Sequence, residues 1–252
     1  MTVQINNPAQ LDLISSQFPR RDDTGLAWSR AISSRLFFPK TRGFWPFSLV
    51  SGDNDLLDAT GNAGTGANTG AVGFDLYGVS PYGVFSGSNH FVVTSGKPNK
   101  ITGALTMACV AYMENLGVEQ GFMSKWGSAG NRSYRMRITA SNGFIFEVSS
   151  DGTAVTSVTS TVTPSAGPWY FLLAEYNPST SLTIWVNGTK TQNTTSIPAS
   201  IFDSTVDLLL GNTNGSFLAG GMSLASLHAS TINSGIALLA LDFIRPLFAI
   251  AL

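Results

Sequence analysis

Tyr134-Arg-Met-Arg-Ile138, Asn142-Gly143, Phe144-Ile-Phe-Glu-Val148 and Asp151-Gly152 follow one another within 19 residues. Tyr134–Ile138 alternates apolar and polar side chains, the period of a half-buried strand, and Phe144–Val148 keeps that period except at Ile145. Asn-Gly and Asp-Gly are the dipeptides that close antiparallel hairpins, because a two-residue type I′ loop needs positive φ at both positions. Leu182-Thr-Ile-Trp-Val186 with Asn187-Gly188 repeats the arrangement farther along. Strand and turn therefore alternate from about residue 101 to residue 228, which predicts an antiparallel sandwich or barrel and excludes a Rossmann-type sheet.

Working outward, Leu105-Thr-Met-Ala-Cys-Val-Ala-Tyr112 and Gly121-Phe-Met-Ser-Lys-Trp126 read as strands, as do Phe91–Thr94, Asp207–Gly211 and Met222–His228. Trp169-Tyr-Phe-Leu-Leu-Ala-Glu-Tyr176 is apolar on both faces, as a central strand covered by a second layer would be. The lone cysteine, Cys109, shares a strand face with Leu105, Met107 and Ala111, which predicts a buried, inert thiol and no disulfide. Gly52–Gly70 is dense in glycine and asparagine and reads as loop.

Charged residues make up only 12% of the 252 and the net charge is −1, so nucleic acid and acidic membranes have no electrostatic footprint here. The opening Met1–Pro8 lacks the basic start and apolar run of a signal peptide. Ile236–Leu252 is apolar but carries Asp242, Arg245 and Pro246, which predicts a short helix and a docked tail instead of a membrane span.

Residues 1–42 hold six of the 14 basic residues against three aspartates, about +3, while the remainder carries about −4. Their scattered apolar residues suit an arm packed on a partner or wrapped over its own sandwich. The organisation expected is an arm over 1–42, one sandwich over 43–232, and a short helix with an apolar tail over 233–252.

Several longer blocks carry a resemblance. Phe44-Trp-Pro-Phe47, Leu57–Asn62, Val84–Val92, Phe122–Gly127, Tyr134–Ile138, Trp169–Phe171, Leu182–Gly188 and Leu210-Gly211 with Phe217–Gly220 follow, in order, the pattern of laminin G-like, concanavalin A-like jelly rolls. The resemblance implies an all-β sandwich of two antiparallel sheets of about six strands each.

Retaining glycosidases of this wider fold resemble Glu-x-Asp-x-x-Glu on one strand. The four glutamates here, Glu114, Glu119, Glu147 and Glu175, do not match it, and Glu147 with Asp151 spans a turn. His90 and His228 lack ligand-spaced partners and read as surface or interface residues, so neither a zinc site nor a catalytic triad is expected. No enzyme is predicted.

Asp53, Asp55 and Asp58 are candidate calcium ligands in a loop, and equally ordinary turn formers. Trp126, Arg132, Tyr134 and Trp185 are candidate glycan-binding residues, Trp185 because it is out of phase with the inward Leu182, Ile184 and Val186.

Two functional readings follow. In the first the chain is a structural protein of a tailed-phage particle, a capsid decoration (cement) or minor capsid protein made in the host cytoplasm. Its extensions, through Arg20, Arg21, Arg35, Phe37, Phe38, Leu247 and Phe248, would grip the major capsid protein, other virion subunits or a sister copy. In the second it is a carbohydrate-binding adhesin or receptor-binding module whose partner is a host-surface glycan.

Overall fold

The computed structural model of the chain describes residues 40–232, apart from positions 49, 53, 79, 95, 97 and 98, together with 241, 242, 245, 248 and 250. The first strands are β1 (Thr41–Pro46), β2 (Gly66–Thr69), β3 (Gly73–Tyr77), β4 (Ser80–Ser86), β5 (His90–Val93) and β6 (Leu105–Met113). Next come β7 (Gln120–Trp126), β8 (Arg132–Ile138), β9 (Phe144–Val148), β10 (Thr156–Thr159), β11 (Tyr170–Asn177) and β12 (Ser181–Val186). The set closes with β13 (Thr189–Asn193), β14 (Leu208–Leu210), β15 (Asn212–Thr213), β16 (Ser216–Phe217) and β17 (Ala219–His228).

These strands form an all-β jelly-roll sandwich of two antiparallel sheets. One is eight-stranded, in the order β13-β12-β11-β6-β17-β4-β3 with β1 also on β17; the other is seven-stranded, β10-β9-β8-β7-β14-β5-β2. Each exceeds the six strands expected, because short edge strands such as β2, within the glycine-rich stretch read as loop, still pair. β17 lies along β6 on one side. On its other side β4 takes its first half and β1 its second, so β1 begins at Thr41, inside the predicted arm.

Alternation decides what each sheet buries. Tyr134, Met136 and Ile138 of β8, Phe144, Phe146 and Val148 of β9, and Leu172, Ala174 and Tyr176 of β11 meet in one core between the sheets. Cys109 joins that core as predicted, and burial pushes its thiol well above the ordinary range. The intervening residues of β11, Phe171 and Leu173, face away from it. With Trp169, Trp185, Ala108 and Val110 they form a second apolar cluster, covered by Ile232, Leu241, Phe248 and Ile250 of the C-terminal segment. The double apolar face read from Trp169–Tyr176 thus has its covering layer. Among the described residues no helix is long and apolar enough to cross a membrane.

The turns divide. Asn187 and Gly188 both have positive φ, 51° and 88°, and Val186 pairs with Thr189, so this loop is the two-residue type I′ turn expected. The loop at Asn142 is longer: Asn142 alone has positive φ, and its N–H donates to the Thr139 carbonyl. Asp151 is no hairpin tip either, since its Oδ1 accepts the N–H groups of Thr153 and Ala154 in a wider connection between β9 and β10. His228 corrects another expectation. It is almost fully buried, its Nδ1 lies 3.1 Å from the Thr41 hydroxyl, and burial lowers its pKa to about 3.

Candidate functional site

The seven-stranded sheet turns a charged face away from the core. Because Tyr134, Met136 and Ile138 point inward, Arg135 and Arg137 stand on the outer side of β8; Glu147 stands on the outer side of β9. Register places Arg135 directly opposite Glu147. Glu147 Oε2 accepts Arg135 Nε at 2.6 Å and Arg137 Nε at 2.7 Å. Glu119, just before β7, accepts Arg137 Nη1 at 2.7 Å and lies 3.5 Å from Arg135 Nη1. Two arginines and two glutamates thus form a closed ladder across β7, β8 and β9.

Each guanidinium plane is fixed by a hydrogen-bonded carboxylate, and the Arg135 and Arg137 side chains are largely buried, 13% and 11% exposed. Burial lowers the pKa of Arg135 and the Glu147 charge opposes that shift. Glu147 is one of the two carboxylates of this ladder, so the acid it offers is already hydrogen-bonded to two cations, unlike the paired acids of a glycosidase.

Trp126 ends β7 beside the ladder. The Arg135 guanidinium lies 4.4 Å from its ring centroid and that of Arg132 lies 5.7 Å away, both in cation–π range. The ring is only 4% exposed. It works as a platform that positions two arginines, and not as the exposed sugar-stacking ring expected. Arg132 does reach this face, and its Nη1 donates to the Thr153 carbonyl at 3.0 Å.

One side of the face is built up by the β15–β16 hairpin. Gly121 of β7 permits the approach: a Cβ there would sit 2.3 Å from the Thr213 nitrogen, and Ser124 Oγ donates to the Asn212 carbonyl at 2.8 Å. Lys125, in register with the core residue Tyr134, instead donates to the Val206 carbonyl, and burial lowers its pKa to about 8.

The other predicted glycan residues are elsewhere. Tyr134 is fully buried in the core, where its hydroxyl donates to the Asn99 carbonyl at 2.7 Å, so it cannot meet a ligand. Trp185 faces away from the core as its phase predicted, but it belongs to the covered cluster on the eight-stranded sheet and is 4% exposed. Lys190 lies 5.7 Å from its ring.

Of the calcium candidates, the described Asp55 and Asp58 serve as turn formers. Asp58 accepts the N–H groups of Phe44, Thr60 and Ala63 and the Thr60 hydroxyl, and Asp55 accepts the Asn68 N–H. Their oxygens hold the loop to β1 and β2, as turn formers do. Asp53 lies outside the described residues, and among the described residues no three His, Cys, Asp or Glu side chains gather as metal ligands.

Arg20, Arg21, Arg35, Phe37, Phe38 and Leu247 also lie outside the described residues. Phe248 packs on Trp169 at 4.9 Å between ring centroids and stacks on Tyr77 at 6.2 Å, within the chain's own outer cluster.

The ladder is legible in the sequence only when its members are read together. Arg135 and Arg137 at i and i+2 must share a strand face, and a hairpin partner carrying Glu147 on the matching face was readable from the same stretch.

The chain is thus a two-sheet antiparallel jelly-roll sandwich whose one outer face is apolar and covered by its own C-terminal residues, and whose other outer face carries a paired charge ladder. Residues 85–233 match the family model of the concanavalin A-like lectin/glucanases superfamily, of laminin G type. The chain belongs to that superfamily.

Among solved structures it is similar to domain 4 of AbnA, a GH43 extracellular arabinanase from Geobacillus stearothermophilus, in complex with arabinotriose. The TM-score is 0.64 at 16% identity, over 80% of this chain and 98% of that one. The binding domain of Paraclostridial Mosquitocidal Protein 1 gives 0.62 at 12% identity, over 81% and 52%. A botulinum neurotoxin type C structure, described as entering cells through two ganglioside molecules, gives 0.62 at 11%, over 81% and 51%. The chain spans about half the length of these two toxin chains, and at such identities the likeness is one of fold. No curated protein sequence matches it.

Proposed function

We propose that the chain is a non-catalytic carbohydrate-binding module whose ligand lies on the outer face of the seven-stranded sheet. The observation that carries this reading is the Glu119–Arg137–Glu147–Arg135 ladder. It supplies oriented donors and acceptors, already held in place, on a face without an apolar cover among the described residues. Sugar hydroxyls exchange water for such groups at little reorganisation cost. The similar arabinanase domain was solved with an oligosaccharide and the similar toxin domains are binding domains, which supports binding over turnover.

The first reading, a particle-decoration protein that grips its neighbours through its terminal extensions, draws no support from Phe248, the member of that set among the described residues, which packs within the chain.

The test is binding to a panel of neutral and acidic polysaccharides by affinity electrophoresis, with reducing ends measured in parallel. The expected result is retention by at least one glycan without release of reducing ends. Retention should weaken about tenfold or more in the Arg135→Ala/Arg137→Ala variant, consistent with losing charge-assisted hydrogen bonds. Binding unchanged in a variant that still melts cooperatively, or hydrolysis abolished by Glu147→Gln, overturns the reading.

A further inference from the structure

The charged face is unevenly balanced. Three arginines, Arg132, Arg135 and Arg137, meet two glutamates, and both glutamates are taken by Arg135 and Arg137. Among the described residues Arg132 has no carboxylate within ion-pair distance. Asp151, the nearest along the chain, is turned into its own loop, where it accepts the N–H groups of Thr153 and Ala154 and the Ser149 hydroxyl. Those bonds hold its carboxyl below the usual range.

Arg132 Nη1 donates to the Thr153 carbonyl. Its Nε, by contrast, is buried with no hydrogen-bond partner. A covered donor on a cation without an acceptor is costly, and native chains keep such groups where something else satisfies them. Nε and Nη2 together form the edge with which a guanidinium takes a carboxylate or sulfate by two parallel hydrogen bonds. Trp126, 5.7 Å from the Arg132 guanidinium, flanks it with an aromatic face.

We propose that Arg132 is an anion-binding residue, and that the module's ligand is an acidic saccharide whose carboxylate or sulfate takes the Nε–Nη2 edge. This deepens the carbohydrate-binding reading and rests on it. The ladder would hold the hydroxyls of the chain while Arg132 selects for charge. The ladder's own arginines cannot select in this way, because their charges are already met.

The experiment is calorimetric titration of the full chain with three oligosaccharides of equal length: oligogalacturonate, a sulfated oligosaccharide and a neutral one. Inorganic sulfate serves as competitor. An acidic oligosaccharide should bind about tenfold or more tighter than the neutral one, a charge-assisted bidentate contact being worth at least that much. Arg132→Gln should remove that preference, and Arg132→Lys should restore little of it, since an ammonium offers a point charge without the fork. Raising salt to about 0.5 M should weaken the acidic ligand selectively, a check that needs no folded variant.

Preference for oligogalacturonate assigns a carboxylate and preference for the sulfated ligand assigns a sulfate. Equal binding of neutral and acidic ligands, or an acidic preference that survives both Arg132→Gln and high salt, overturns the anion assignment and leaves the carbohydrate reading standing. Binding of inorganic sulfate with no oligosaccharide bound overturns both.

Discussion

The two outer faces of the sandwich are built on the same alternation and end in opposite states. On the eight-stranded sheet the outward residues of β11 and β12 are Phe171, Leu173 and Trp185, and the chain's own C-terminal segment lies over them. On the seven-stranded sheet the outward residues of β8 and β9 include Arg135, Arg137, Ile145 and Glu147; the three charged ones satisfy one another, with side chains only 13%, 11% and 8% exposed. Titratable groups follow suit. Glu175, on the covered side, accepts the Ile232 N–H at 2.6 Å, and burial raises its pKa; burial lowers that of His228 at the end of β17. Both shifts favour the neutral form, whereas the open face keeps its charges by pairing them. The inner faces make the fold, and the outer faces determine what the module can do.

The strongest attempt to break this comparison is to uncover the apolar face. Deleting residues 231–252 removes Ile232, Leu241, Phe248 and Ile250, each worth roughly 1.5–3 kcal/mol when buried, less the entropy of ordering the segment. A loss of about 5 kcal/mol in denaturant unfolding is expected, with new binding of an apolar dye to the exposed Trp169 and Trp185. A truncated chain that keeps its stability would show that the segment is not the cover described here.

Next in size is the open face itself. Glu147→Ala leaves Arg135 and Arg137 facing each other with only Glu119 between them, and removing one member of a largely buried ion pair costs about 3 kcal/mol. Glu147→Gln should cost less, since the amide oxygen still accepts one guanidinium. Chemical denaturation of both variants measures the difference.

Much of this was legible before the structure. The alternation at Tyr134–Val148 gives the strands and most of their inward residues, and the double apolar face at Trp169–Tyr176 gives a central strand under a second layer, though not the third layer that the C-terminal segment adds. Trp185 was even assigned its correct side. What alternation cannot report is cover: an outward tryptophan reads as exposed until the segment lying over it is seen, and Trp126 reads as a sugar platform until two arginines are found beside it. The burial of Tyr134 is readable from its phase with Met136 and Ile138. His228 looked like a surface residue because β1, which closes over it, begins inside a segment read as an arm.

The covered face also predicts a pH dependence. The folded pKa of His228 is depressed to about 3, so below the ordinary value near 6.5 the unfolded chain takes up a proton that the folded chain refuses. Stability is therefore full above that value and falls as the pH drops toward about 3. Relative to His228→Gln, the wild type should lose about 1.4 kcal/mol between pH 7.5 and about pH 5.5. Glu175 works in the opposite sense, its raised pKa costing stability as pH rises through the carboxylate range, so the comparison with His228→Gln is what isolates the histidine. A flat difference would mean that water reaches this side of β17.

The smallest effect sharpens the comparison at the hairpins, one from each sheet. Asn187 holds positive φ at 51° in a two-residue loop, and its Oδ1 accepts the Phe171 N–H at 2.9 Å, tying the turn to the neighbouring strand β11. Asn142 holds positive φ at 62° in a longer loop, and its Oδ1 accepts the Gly117 N–H at 2.8 Å, tying that turn to the segment before β7. Alanine at either position loses the hydrogen bond and adds backbone strain, for about 1 kcal/mol each in thermal unfolding. Glycine relieves the strain and loses only the hydrogen bond, so the alanine-to-glycine difference reads the backbone term alone. That term should be larger at Asn187, where a type I′ turn requires positive φ at both residues, than at Asn142, whose longer loop can relax. Equal differences would mean that the Asn142 loop is as tightly fixed as the two-residue turn, and that the open face is held as firmly at its edge as the covered one.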